Sequence, residues 1–228
     1  MSKHERLLKT LMIIRDSCLV AGRKEKDVRL VAVSKTKSWE EIAAFLELGV
    51  RDFGENYVQE ALPKISALND AKIEWHFIGR IQRNKTRKIA EHFSWVESLC
   101  DPVTAKRLNE QRPQHLPPLN VCIEVNISRD KNKEGVTLEA VLPLIRYCQS
   151  LPRLNMRGLM AMPTLHDTLA EQRTEYQSLH LFWETLHKQI QTLDTLSIGT
   201  SHDIETAIAE GSTMVRVGTR LFGERVNP

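Results

Sequence analysis

Lys35 follows the apolar run Leu30–Val33 in LVAVSKTKS, residues 30–38, a run of the kind that makes a strand buried on both faces. An amine at a strand end is chemically useful. It condenses with carbonyl compounds to a Schiff base, and neighbouring cations depress its pKa and make it a better nucleophile. Two further stretches complement it: SIGTSHD at 197–203 and RVGTR at 216–220. Each sets glycine and hydroxyl residues directly after a strand-like run, where glycine permits close backbone approach and a following helix offers free N–H groups. Alone, each reads as a helix cap or a tight turn; together they read as a phosphate cradle. Strand alternation in MVRV sends Val215 and Val217 to one face and Arg216, with Met214 and Gly218, to the other. A buried arginine needs a fixed acceptor, either an internal carboxylate such as Glu124 or a bound ring or anion.

Lysine, phosphate cradle and inward arginine together fit a phosphorylated aldehyde. Pyridoxal 5′-phosphate meets all three, with its aldehyde at Lys35, its phosphate at Ser201, Gly218 and Thr219, and its ring nitrogen toward Arg216. A Schiff-base aldolase acting on a sugar phosphate uses similar parts, so these residues leave both readings open.

Such a site needs rigid elements to hold it. After an amphipathic N-terminal helix, strand-like and helix-like segments alternate, with eight strand candidates: 29–34, 52–56, 73–79, 94–100, 120–128, 154–163, 195–201 and 214–223. A long helix is expected from about Leu169 to Leu193. Eight alternating units with mostly apolar strands predict a closed parallel (β/α)₈ barrel, whose functional residues gather where the strands end. A doubly wound sheet is the alternative, but no G-x-G-x-x-G follows the first strand. At 228 residues the chain is expected to be one domain, 1–228, and QRPQHLPPLN at 111–120 is short enough to be a loop.

Composition excludes little else. With 41% hydrophobic and 27% charged residues the chain is of ordinary globular type, and a formal charge of +3 gives no global signature of nucleic-acid binding. The basic run RIQRNKTRK at 80–88 reads first as a solvated helix face. Four scattered cysteines, Cys18, Cys100, Cys122 and Cys148, have no metal-ligand spacing and read as small buried residues of a reduced protein. No signal-peptide core or membrane-length apolar window is present, which implies a soluble cytoplasmic protein.

AVSKTK at 32–37, FGENYVQE at 53–60, WHFIGRIQRNK at 75–85, RGLMAMP at 157–163 and IGTSHDIETAIAEGSTMVRVGTRLFGER at 198–225 together resemble the pyridoxal phosphate homeostasis proteins, the YggS/PROSC family. The resemblance implies a single fold-type III (β/α)₈ barrel, similar to the N-terminal domain of alanine racemase, with an extra N-terminal helix. It implies that Lys35 carries pyridoxal phosphate, that Asn56 lies near the cofactor, and that His76 and Met160 line its ring pocket. By the same resemblance Ser201, Gly218 and Thr219 hold the phosphate and Arg216 faces the pyridine nitrogen. The implied function is intracellular homeostasis of pyridoxal phosphate, by storage or delivery to apo-enzymes, without turnover, in a monomer that binds neither nucleic acid nor membrane.

This chain departs from the family pattern in two loops. Thr200 stands where methionine is usual and His202 where an acidic residue is usual, adding a hydroxyl and an imidazole at the phosphate end. Arg80 and Arg83 strengthen the basic surface of the third-strand loop. Other readings order themselves behind the first. A racemase or decarboxylase of this fold type generally adds a C-terminal β-domain, for which residues 224–228 leave no room. A phosphosugar aldolase comes next, and a nucleic-acid module using residues 80–88 last. Lys133, in RDKNKEG after the fifth strand, is a second amine expected at the same barrel face, with a role in handover that release kinetics of Lys133→Ala would test.

Overall fold

The computed structural model describes residues 1–128, 130, 133–162 and 168–224. Its first half runs α1 (Lys3–Val20), β1 (Arg29–Val33), α2 (Trp39–Glu47), β2 (Asp52–Glu55), α3 (Val58–Leu68), β3 (Glu74–Phe77), α4 (Thr86–His92), β4 (Trp95–Leu99) and α5 (Pro102–Gln111). The second half runs β5 (Leu119–Glu124), α6 (Leu138–Gln149), β6 (Leu154–Met160), α7 (Leu169–Gln189), β7 (Thr195–Thr200), α8 (Ile204–Ala209), β8 (Met214–Val217) and α9 (Thr219–Phe222). The eight strands form a closed barrel in sequence order, and β8 pairs in parallel with β1 to complete it. All eight expected strands are present.

Local chemistry explains where the helices begin. Ser2 and Glu5 form a reciprocal capping box on α1, and Ser38 and Glu41 do the same on α2. Asp101 caps α5, whose first residue is Pro102. On α1 the buried residues Leu7, Thr10, Ile14 and Cys18 recur at helical spacing. Strand alternation then sorts the core into two layers. Val31, Trp95, Cys122, Met160 and Met214 form a cluster of their own, while Val215 and Val217 belong to the larger core that includes residues of the surrounding helices.

Strand ends at the mouth are shorter than expected. The last one stops at Val217, because Gly218 leaves extended geometry at φ −108° and ψ −77° and a helical turn follows. That turn buries the consecutive residues Leu221 and Phe222, and the Phe222 ring meets Phe45 of α2 edge-on at 4.8 Å. Strand β5 stops at Glu124 and β6 at Met160; Pro163 and Arg225, which end two of the quoted motifs, lie outside the described residues. All four cysteines are unpaired thiols. Among the described residues no helix is long and apolar enough to cross a membrane, and no cluster of His, Cys, Asp and Glu is suited to a metal ion.

Candidate functional site

Lys35 lies at the barrel mouth between two pinned residues. On its N-terminal side, Ser34 donates its N–H to Gly54 O at 3.0 Å and its hydroxyl to Glu55 Oε1 at 2.6 Å. On the other, Thr36 takes a left-handed conformation at φ 65° and donates its N–H to Glu60. One buried amine ties both sides together: Lys64 Nζ of α3 donates to Ser34 O at 2.9 Å, to Glu55 at 2.9 and 3.1 Å, and to Glu60 Oε1 at 2.6 Å. Burial raises the pKa of the Glu55 carboxyl above the ordinary range, against the opposing pull of Lys64 and the Ser34 hydroxyl. Glu55, Glu60 and Lys64 had no role in the sequence reading; the four-residue spacing of Glu60 and Lys64 was the available signal.

A cavity of about 320 Å³ opens above Lys35, lined by Lys35, Asn56, Ser201, Arg216, Gly218 and Thr219 and also by Arg80, Glu124, Glu134, Met162, Thr200 and His202. Six of the eight expected site residues therefore share one cavity. At one end the backbone N–H groups of Gly218 and Arg220 converge on Ser201 Oγ, at 3.1 and 3.4 Å. Glycine is needed nearby for a different reason than expected. Gly199 has φ +98°, and a Cβ there would lie 2.6 Å from that of Ala207, so the close approach is to α8 rather than to a ligand. The added hydroxyl of Thr200 is turned away to Asp203 Oδ1, at 2.8 Å.

Arg216 points inward as alternation requires and is buried. Its Nη1 donates to Ser197 O at 2.8 Å and to Ser197 Oγ at 2.5 Å, and its Nη2 to Ala161 O at 2.9 Å. The buried carboxylate within ion-pair range is Glu97 of β4, at 3.8 Å, whereas Glu124 stands on the cavity wall. There, burial pushes the Glu124 carboxyl up to about 7, although Arg216 draws it down. Arg80 Nε meets Glu134 Oε1 at 3.1 Å, joining the loops after β3 and β5.

His76 and Met160 do not line this cavity; they are fully buried in the barrel interior. The His76 ring stacks on Trp95 at 5.2 Å, with Nδ1 2.7 Å from Glu97 Oε1 and Nε2 3.0 Å from Asp52 Oδ1. Met160 packs with Val31, Trp95, Cys122 and Met214. Lys133 is held in the loop after β5 by a bond from its N–H to Asp130 O at 3.1 Å and is not a lining residue, although its neighbour Glu134 is.

An amine at the end of the first strand and grouped donors after the seventh and eighth are the arrangement expected of a barrel of the alanine-racemase type. Consistent with that, the family model described as alanine racemase, N-terminal domain, matches residues 17–226. The chain belongs to the family of pyridoxal phosphate homeostasis proteins. It is 48% identical over 221 residues to the protein of that name from Pseudomonas aeruginosa, covering 97% of this chain and 95% of that one. The Escherichia coli K12 protein of the same name is 45% identical over 207 residues, covering 90% of this chain and 88% of its own. PipY of Synechococcus elongatus, solved with PLP bound, superposes with a TM-score of 0.83 at 32% identity over 97% of this chain and 100% of that one. Alanine racemase of Clostridium difficile 630 superposes at 0.74 with 16% identity, over 98% of this chain and 58% of that one, a likeness of fold alone.

Proposed function

We propose that this protein binds pyridoxal 5′-phosphate at the mouth cavity and takes part in its intracellular homeostasis, storing or delivering it without turning over a substrate. The observation that carries this is the convergence of Lys35, Ser201, Arg216, Gly218 and Thr219 on one cavity of small-molecule size. The residues fit the group: two backbone N–H donors are already grouped at Ser201 Oγ, and elsewhere in the lining the buried Asn56 Oδ1 lacks a hydrogen-bond partner. When bound, pyridoxal phosphate supplies an aldehyde that condenses reversibly with the amine of Lys35.

The chain's own residues set the rest. Ser34 and Thr36 fix the backbone that carries the amine, and Ser201, Gly218 and Thr219 hold the phosphate. Arg216 places a permanent cation where the ring nitrogen is expected, which disfavours protonation of that nitrogen and suits a site that holds its cofactor. The names of the relatives support the homeostatic reading, and four free thiols fit a reducing compartment such as the cytoplasm. Apo-enzymes that need pyridoxal phosphate are the proposed recipients, and the working unit is proposed to be a monomer.

The test is an absorbance titration with pyridoxal phosphate beside one with pyridoxal. Saturable uptake that depends on the phosphate supports the reading; equal affinity for both, or no uptake, overturns it. Incubation of the loaded protein with amino acids separates a carrier from a racemase or decarboxylase, and the carrier predicts no product.

A further inference from the structure

A continuous polar column runs through the barrel from the cavity floor toward the opposite end. Arg216 Nη1 donates to Ser197 Oγ at 2.5 Å, and Ser197 Oγ donates its one proton to Glu97 Oε2 at 2.6 Å. Glu97 Oε1 lies 2.7 Å from His76 Nδ1, His76 Nε2 lies 3.0 Å from Asp52 Oδ1, and Asp52 meets Arg29 at 3.4 Å. Arg216, Ser197, Glu97 and His76 are all buried. Both ring nitrogens of His76 face carboxylate oxygens, which accept but do not donate, so the geometry calls for a doubly protonated imidazolium. Buried Glu97 then lies between two cations, His76 and Arg216, while the partly exposed Asp52 meets both His76 and Arg29.

We infer that Glu97 is the positioning residue of the cavity floor: through Ser197 it fixes the guanidinium of Arg216, and His76, clamped between Glu97 and Asp52, keeps Glu97 ionised. This rests on the reading of the cavity as a pyridoxal phosphate site. Hydrogen bonds and charge from Asp52 and Glu97 outweigh the opposing effect of desolvation and raise the His76 pKa, while His76 and Arg216 hold the Glu97 carboxyl below its ordinary value against its own burial. A guanidinium held by two carbonyl oxygens, a hydroxyl and a carboxylate keeps one orientation before any ligand arrives, which lowers the cost of binding a ring nitrogen opposite it.

The experiment compares the full chain with Glu97→Gln and with Ser197→Ala, which removes a single hydroxyl. Pyridoxal phosphate affinity is read from the visible band, together with the pH midpoint of that band. Separately, without ligand, NMR follows the imidazole signals that vanish in His76→Gln. The inference expects at least a tenfold weaker affinity in both variants, a band midpoint displaced to lower pH in Glu97→Gln, and earlier deprotonation of His76 in that variant. Wild-type affinity and an unmoved midpoint in both variants overturn it, as does a His76 that is neutral in the wild type at pH below about 6. If the wild-type chain takes up no pyridoxal phosphate, the reading of the cavity fails and the functional half of the inference with it. The NMR result then still decides whether Glu97 and His76 form the charged pair.

Discussion

Glu124 shows how a single side chain can make this protein sensitive to pH. Its carboxyl is pushed up to about 7 by burial, with Arg216 pulling it down and Glu134 pushing it up, while an unfolded glutamate titrates near about 4.3. The folded state therefore keeps a proton that the unfolded chain releases between those values. This contribution to stability is present below the unfolded pKa and is lost as pH rises through about 7. Replacing Glu124 with glutamine should flatten the decline in stability between about pH 5 and 7.5 by roughly 2 kcal/mol, read from urea unfolding at several pH values. Identical slopes in the two proteins would show that Glu124 does not carry the effect. Sequence could name this residue only as a possible partner of Arg216, because its distance from that guanidinium depends on strand register around the closed barrel.

At the scale of elements, the site is built on a junction of β1, β2 and α3 that Lys64 holds together. Replacing Lys64 with methionine keeps the volume but leaves Glu55 buried without its cation. The expected loss is about 3 to 5 kcal/mol of stability in denaturant unfolding, with weaker uptake of pyridoxal phosphate. A change under about 0.5 kcal/mol would mean that the pair contributes nothing net. The β2–β3 contact at the mouth is equally specific. A Cβ on Gly79 would lie 2.1 Å from Asn56 O, so Gly79→Ala should displace Asn56, destabilise the fold by roughly 1 to 3 kcal/mol and lower affinity; an unchanged melting temperature and affinity would contradict that packing. The elements themselves were legible because strands such as RLVAV and MVRV are short apolar runs and the helices start at readable caps such as Ser38 with Glu41. The polar interior was not legible. SWVESLC reads as one more buried strand, and the hydroxyl that Glu97 accepts from belongs to Ser197, 100 residues away. His76 likewise carried a motif but not its orientation: it faces Glu97 and Asp52 instead of the cavity.

For the whole molecule, closing eight parallel strands brings residues 35, 201, 216, 218 and 219 to one mouth although the chain separates the first from the others by most of its length. A ligand gripped from both sides of that separation binds the folded state alone, so the melting temperature should climb with pyridoxal phosphate concentration by mass action. A melting temperature independent of ligand would contradict such binding. Lys35 is proposed as the amine that takes the aldehyde. The most direct measurement is borohydride reduction of the loaded protein followed by peptide mass mapping, in the wild type and in Lys35→Ala. The expected result is a phosphopyridoxyl group on Lys35 in the wild type and no fixed label or visible band in the variant. Label that maps to another lysine in the wild type, or a band that survives in Lys35→Ala, would contradict it.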